Sequence, residues 1–228
     1  MSAREFRDGL CMRYQLPILH LPDRCDGCGS CFSVDHGLNC PRGGNVIERH
    51  NEIRDMVGQL AAMAYAHVSR EPVVREAGEQ GNQSGLVCDL AVRGVWQPQT
   101  EALFDFRVCN ADAQSYVNRP VSSVLDSLAK SKKAKHEQAC WERRMDFTPF
   151  IVSTDGVIHR EGEHFMKRLA SRLSARWSKP YSITMSFVRT QVSLAILRAT
   201  NHCLRGARRK MAPLHLEDGA AVRLFIDC

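Results

Sequence analysis

The chain has 228 residues and a mass of 25.7 kDa, and its 44% hydrophobic and 25% charged residues exclude a wholly disordered protein. No window approaches 18 uninterrupted apolar residues, and charges interrupt the N-terminal region, so we expect neither a transmembrane helix nor a secretory signal. The net charge of +6 is unevenly placed, with 19 basic and 9 acidic residues from Lys130 onward and 12 and 16 before it. This polarity favours an acidic, cation-collecting site beside a surface for a polyanion, although solvated helix faces would give the same counts.

The first chemical signal is a cysteine-rich segment in which Cys25, Cys28, His36 and Cys40 follow the spacing C-x2-C-x7-H-x3-C. Two cysteines separated by two residues can share a tetrahedral ion, because a tight turn brings both sulfurs to about 2.3 Å from it. Four protein ligands leave no open position, so the spacing predicts a structural zinc site, with Cys31 as an alternative to His36. Without an expected secretory signal, the ten cysteines favour a reducing compartment over disulfides.

An amphipathic helix is expected next, from about Val46 to Ala66. Its apolar residues follow the spacing of one helix face and are Ile53, Met56, Val57, Leu60 and Ala64.

Runs of β-branched and bulky apolar residues then predict strands at 69–76, 85–96, 101–110 and 147–154. A lysine-rich helix is expected from about Val121 to Arg144, between the last two strands. Two amphipathic helices follow, with apolar stripes that begin at Met166 and Met185. The order of elements predicts an α/β fold with one modest sheet.

Two aspartates interrupt apolar strand sequences: Asp89 in LVCDLAV and Asp105 in ALFDFRV. A buried aspartate is costly unless it is paired, hydrogen-bonded or bound to a metal. Period-2 alternation places Asp105 and Arg107 on one face of their strand, and consecutive strands could bring the two acids together. The alternative is that each aspartate pairs with backbone amides or with Arg93 and Arg107.

Glu52 and His50 lie on the first amphipathic helix, close to its apolar face. A helix packed across the sheet could deliver one of them to the aspartates, giving two or three oxygen ligands suited to Mg²⁺ or Mn²⁺. Such an ion would polarise a phosphodiester and lower the pKa of an attacking water.

In chain order, these features resemble a known family. The zinc knuckle (residues 25–40), the Arg49-His50-Asn51 sequence and the two aspartates are similar to the restriction-enzyme-like PD-(D/E)XK endonuclease of site-specific non-LTR retrotransposons. The resemblance covers about residues 25–153. It implies a small mixed sheet of about four strands flanked by helices, a restriction-endonuclease-like core preceded by the knuckle.

This sequence departs from the family pattern at two positions. Cys88 stands where the family has proline, and Arg107 stands where it has lysine. A lysine that has migrated to the following helix would compensate for the second change, and Lys132 or Lys135 would serve. A solvated basic helix face is the alternative interpretation of these lysines.

The resemblance also implies roles for the residues. Asp89 and Asp105 would hold a catalytic Mg²⁺ or Mn²⁺, with Glu52 as a third ligand. His50 would orient a phosphate or water, and Arg107 with Lys132 or Lys135 would stabilise the transition state.

A basic stripe is expected on the last helix, where Arg198, His202, Arg205 and Arg209 share one face. Such a stripe would neutralise nucleic-acid phosphates without reading bases, and Arg49 is a further candidate contact. A plain solvent-facing helix surface is the alternative.

Two regions are therefore expected: an N-terminal segment with the knuckle (1–45) and a nuclease domain with basic C-terminal helices (46–228). The resemblance implies a Mg²⁺-dependent endonuclease that nicks DNA for reverse transcription, with DNA as the ligand and RNA as a further candidate. The resemblance also implies a reverse transcriptase domain as partner, no membrane association and a nuclear location. The rival interpretations are a catalytically inactive, zinc-containing nucleic-acid-binding module and a protein-interaction domain.

Overall fold

A computed structural model describes residues 1–76, 85–208, 210–215 and 221–226. Its six α-helices within these residues are α1 Ala3–Arg13, α2 Val34–Asn39, α3 Asn45–Ala64, α4 Val121–Glu142, α5 Arg160–Trp177 and α6 Tyr181–Arg205. The strands are β1 Val68–Arg70, β2 Val73–Arg75, β3 Leu86–Val87, β4 Leu90–Arg93, β5 Glu101–Cys109, β6 Asp146–Ser153, β7 Lys210–His215 and β8 Ala221–Ile226. A short 3₁₀-helix spans Gln114–Tyr116. Within the described part of the chain, no helix is both long and apolar enough to cross a bilayer.

The main sheet has four strands in the order β1-β4-β5-β6, which agrees with the expected small mixed sheet. β1, β4 and β5 are antiparallel neighbours, whereas β5 and β6 run parallel. Parallel neighbours need a crossover connection, and α4 supplies it. Pro149 lies in β6, and an edge strand tolerates the missing amide donor.

Alternation along β5 divides its side chains between two helical layers. Leu103 clusters with Cys140 of α4, and Phe104 contacts Phe165 of α5 with ring centroids 4.2 Å apart. Phe106 stacks on Phe150 of β6 on the same face as Phe104. The predicted alternation is therefore confirmed, and the side chain of Asp105 shares the α4 face with Leu103.

The predicted strand over 85–96 is broken in the structure. β3 pairs with β2 in a separate two-stranded sheet, and β4 pairs with β1 and β5. The amide of Cys88 donates to Pro72 O at 3.1 Å, and the amide of Asp89 donates to Phe104 O at 3.0 Å. The chain thus changes sheets at Asp89, which lies at the bend rather than inside a strand.

By contacts between Cα atoms, the chain divides into two compact units. One comprises residues 1–49 and 197–228, and the other comprises residues 50–196 and contains the four-stranded sheet. The described C-terminal residues therefore group with the N-terminal segment and not with the sheet, as the expected regions 1–45 and 46–228 had it. We call these the knuckle unit and the sheet unit.

Candidate zinc centre and carboxylate site

In the knuckle unit, the side chains of Cys25, Cys28, His36 and Cys40 converge, with their ligand atoms all within 4.8 Å of one another. The Sγ atom of Cys40 lies 3.8 Å from the Sγ atoms of both Cys25 and Cys28, and Cys28 Sγ lies 3.3 Å from His36 Nε2. Ligands about 2.3 Å from a tetrahedral ion are about 3.8 Å apart, so this cluster fits a structural zinc ion. Cys31 is exposed and outside the cluster, so His36 is the fourth member.

Local backbone structure places these ligands. Gly29 adopts a φ of +75° and donates to Cys25 O at 2.7 Å, which closes the turn between the first two cysteines. Ser33 caps α2 by accepting from the amide of His36 at 3.0 Å, and Cys40 follows one turn later as the C-cap residue. The pKa of the Cys28 thiol is lowered to about 6 by hydrogen bonds from Ser30, which favours the thiolate that a metal requires.

Arg208 attaches the knuckle to the rest of its unit. Its amide donates to Asp26 Oδ2 at 2.9 Å, and its guanidinium donates to the carbonyls of Gly37 and Cys203 at 3.2 and 2.9 Å. The guanidinium also lies over the Phe32 ring, 5.1 Å from the centroid. These contacts give Arg208 a structural role.

In the sheet unit, α3 and the bend before β4 bring His50 to Asp89. His50 Nε2 donates to Asp89 Oδ1 at 3.1 Å, and the amide of Phe106 donates to Asp89 Oδ2 at 2.5 Å. The imidazole also contacts the Phe106 ring edge to face, with centroids 6.5 Å apart. Both oxygens of Asp89 therefore accept hydrogen bonds from the chain.

Asp105 lies in the middle of β5, and its side chain is only 8% exposed. Lys132, from α4 on the same face, forms an ion pair with Asp105 Oδ2. The structure thus brings a strand aspartate and a helix lysine together. We call Asp89, Asp105 and Lys132 the carboxylate site.

The two aspartates perturb each other. Burial raises the pKa of Asp105, Lys132 opposes the rise, and the neighbouring carboxylate of Asp89 adds to it. Burial also acts to raise the pKa of Asp89, but hydrogen bonds from His50 and the amide of Phe106 outweigh it and leave the pKa lowered. The pKa values of the two carboxyl groups are therefore pushed apart, with that of Asp105 raised and that of Asp89 lowered.

Three other predicted site residues lie outside the carboxylate site. Glu52 is exposed on α3, about 200° around the helix axis from His50, so the two cannot point to one place. Among the described residues, only the knuckle cluster brings three or more potential ligands within 4.8 Å, so Glu52 does not complete a triad with the aspartates. Arg107 and Lys135 are exposed.

Two of the arginines expected to contact nucleic acid are instead bound within the knuckle unit. Arg49 is only 2% exposed and donates to Leu38 O at 3.1 Å, so it is not available to phosphates. Arg205 binds Asp8 Oδ2 at 2.8 Å and also donates to the carbonyls of His20 and Leu19.

These two arginines stabilise the knuckle unit, which corrects their assignment as nucleic-acid contacts. His202 lies 2.7 Å from Glu48. Arg198 is exposed, and Arg209 lies outside the described residues.

No family model and no curated protein sequence matches this chain. The geometry and the sequence patterns are therefore the basis for a functional proposal.

Sequence reasoning missed a histidine behind Asp105. His136 of α4 is fully buried, with Nδ1 3.4 Å from Cys88 Sγ and Nε2 3.7 Å from Asp105 Oδ2. Burial, together with the charges of Lys135 and Lys132, lowers the pKa of His136 to about 4, so the ring is neutral near pH 7. The sequence feature that could have pointed to His136 is its position four residues after Lys132, which places both side chains on one helix face.

Proposed function

We propose that this protein is a divalent-metal-dependent endonuclease that hydrolyses DNA phosphodiester bonds. The observation that carries the proposal is the close approach of Asp89, Asp105 and Lys132. Asp89 comes from the bend before β4, Asp105 from β5 and Lys132 from α4. This combination supports a PD-(D/E)XK-type site in which the lysine has moved to the helix.

The donor set suits a hard cation. Asp89 and Asp105 present adjacent carboxyl groups, and carboxylate oxygens are the ligands that Mg²⁺ and Mn²⁺ prefer. The raised pKa of Asp105 reflects burial and the nearby carboxylate, an arrangement that a cation would relieve. When bound, such an ion polarises the phosphodiester and lowers the pKa of the attacking water.

The chain's own residues have separate tasks in this proposal. His50 and the amide of Phe106 hold Asp89 in one orientation. Lys132 neutralises Asp105 before substrate binds and then supplies positive charge to the scissile phosphate, whose charge increases in the transition state. Cleavage leaves a 3′ hydroxyl, the primer end that a reverse transcriptase extends.

The remaining parts of the proposal rest on the resemblance in the sequence. We propose that the enzyme derives from a retrotransposon, that it acts with a reverse transcriptase domain in the same or a related chain, and that it works in the nucleus. The zinc knuckle would then be a structural module of the same chain.

The test is a nicking assay on supercoiled plasmid with the full chain, in Mg²⁺ and in EDTA. We expect the parent protein to nick only with Mg²⁺, and Asp105→Asn to lose nicking by about 100-fold or more while retaining DNA affinity. Asp155→Asn is the matched control, because Asp155 is exposed in a turn of the same unit. Undiminished cutting by Asp105→Asn would contradict the assigned site.

One observation favours a second function, a catalytically inactive nucleic-acid-binding module. Both oxygens of Asp89 already accept hydrogen bonds, and Lys132 pairs with Asp105, so each carboxylate has a partner in the chain without a cation. DNA binding by the parent chain, with no nicking in Mg²⁺ or Mn²⁺, would support this module and exclude the enzyme.

A further inference from the structure

His136 is held rigidly beneath the carboxylate site. It lies one helical turn after Lys132, so both side chains project from one face of α4 toward β5. Its ring is 0% exposed and stacks on Phe147, with centroids 5.1 Å apart and planes 6° apart. A ring packed in this way has little freedom to turn, so its two nitrogens face fixed partners.

Those partners are Cys88 at Nδ1 and Asp105 at Nε2. Cys140 and Cys88 are buried in the same cluster, and Cys88 Sγ lies 3.4 Å from His136 Nδ1. We assign the ring proton to Nε2, because a thiol S–H donated by Cys88 requires Nδ1 to be the acceptor. Nε2 is 3.7 Å from Asp105 Oδ2, so an N–H dipole faces the carboxylate from its buried side.

We infer that His136 is a positioning residue for Asp105, with Cys88 fixing the orientation of the imidazole. The inference rests on the proposed function, because it assigns His136 the task of holding a metal-binding carboxylate. Lys132 and His136 approach the same oxygen, Oδ2. When Lys132 turns to a substrate phosphate, His136 remains as the group that orients Asp105.

The inference also accounts for the departure at position 88. A proline there would shape the backbone before Asp89, but it could not contact an imidazole. Cys88 is 1% exposed and supplies that contact, while its amide donates to Pro72 O. In this chain the residue before Asp89 therefore supports Asp105 through a side chain.

The experiment measures Mn²⁺ binding by electron paramagnetic resonance on the full, zinc-loaded chain, together with Mg²⁺-dependent nicking. Groups that orient metal ligands typically change metal affinity or activity by about 10- to 100-fold when removed. We therefore expect His136→Leu to weaken Mn²⁺ binding by about that factor and to raise the half-saturating Mg²⁺ concentration, with less effect at saturating metal. His136→Gln places an amide near the Nε2 position and should restore part of the affinity.

The matched control is His159→Leu. His159 is also buried, at 4% exposure, and its Nε2 lies 3.0 Å from an aspartate, Asp126, in the same unit. Both leucine variants should lose thermal stability, but only His136→Leu should change the Mn²⁺ dissociation constant. Equal Mn²⁺ affinities in the two variants would overturn the inference and leave the nuclease proposal intact.

Two further outcomes can be distinguished from a failure of this inference alone. A parent chain that neither binds Mn²⁺ nor nicks DNA would remove the proposed function and this inference with it. If His136→Leu does not fold, Cys88→Ala and Cys88→Ser decide, because serine keeps a donor for Nδ1 and alanine does not. Weaker Mn²⁺ binding by the alanine variant alone would support the inference, and equal binding by both would overturn it.

Discussion

Lys132 of α4 and Asp105 of β5 form an ion pair across the interface between the crossover helix and the sheet. The pair is largely shielded, with side-chain exposures of 21% and 8%. It selects one of the two lysines that the sequence left as candidates, because Lys135 is exposed.

A comparison of the two lysines tests this selection. Lys132→Ala should reduce the nicking rate by about 100-fold or more, because it removes the cation nearest to the carboxylates. Lys135→Ala should remain close to the parent rate. Both rates are measured by single-turnover nicking at saturating Mg²⁺, with DNA affinity followed by fluorescence anisotropy. A larger loss of nicking from Lys135→Ala than from Lys132→Ala would show that Lys132 is not the catalytic cation.

The zinc centre leads to a prediction about metal content. We expect about one zinc per parent chain by mass spectrometry of the metal, because four ligands converge with tetrahedral spacings. His36→Ala should lose most of that zinc and lower the melting temperature, since zinc binding contributes directly to the folding free energy of small metal sites. Cys31→Ser is the control, because Cys31 is exposed and outside the cluster. Loss of zinc from Cys31→Ser would restore the alternative ligand set.

The buried ion pair of the knuckle unit predicts unequal effects of two arginine substitutions. Arg205→Ala should lower the free energy of unfolding by about 3–5 kcal/mol, because it removes the guanidinium that binds the Asp8 carboxylate, 1% exposed, at 2.8 Å. Arg198→Ala should change it by less than about 0.5 kcal/mol, as expected for an exposed side chain. Urea denaturation monitored by circular dichroism measures both. Similar losses would mean that Arg205 contributes no more than a surface residue.

Local patterns were sufficient to predict the helices that carry the site. The apolar stripe predicted a helix from about Val46 to Ala66, and α3 spans Asn45–Ala64. The lysine-rich helix was expected from about Val121 to Arg144, and α4 spans Val121–Glu142. Periodicity succeeds here because one face of each helix is buried along its length.

The break at Asp89 could not be predicted in the same way. The residues from 85 to 96 have uniform strand character, but β3 and β4 pair with different partners. A change of partner depends on residues distant in the chain, such as Pro72 and Phe104, whose carbonyls receive consecutive amides. Strand propensity contains no information about that choice.

Burial of charged residues was also outside the reach of the sequence patterns. The sequence placed Arg198 and Arg205 on one face of α6, but Arg205 binds the buried carboxylate of Asp8 from the start of the chain, whereas Arg198 is exposed. His136 was missed for the related reason that a histidine within a lysine-rich helix gives no periodic signal. Its burial results from packing against β5 and Phe147.

The buried histidine finally predicts how stability depends on pH. The pKa of His136 is about 4 in the folded protein, against 6.5 as its ordinary value, because burial and then the charges of Lys135 and Lys132 disfavour the imidazolium. Between pH 6.5 and 4 the unfolded chain therefore binds more protons at this residue than the folded chain does.

Its contribution to the free energy of unfolding is full above pH 6.5 and falls by up to about 3 kcal/mol as the pH approaches 4. His136→Leu should lack this component, so the stability difference between parent and variant should narrow as the pH falls from 7 to 4.5. Urea unfolding of both proteins across that range measures the difference, in which the titrations common to both, such as those of the knuckle thiols, cancel. A difference that stays constant with pH would show that the imidazole titrates alike in the folded and unfolded chains, which would contradict its enclosure between Cys88 and Asp105.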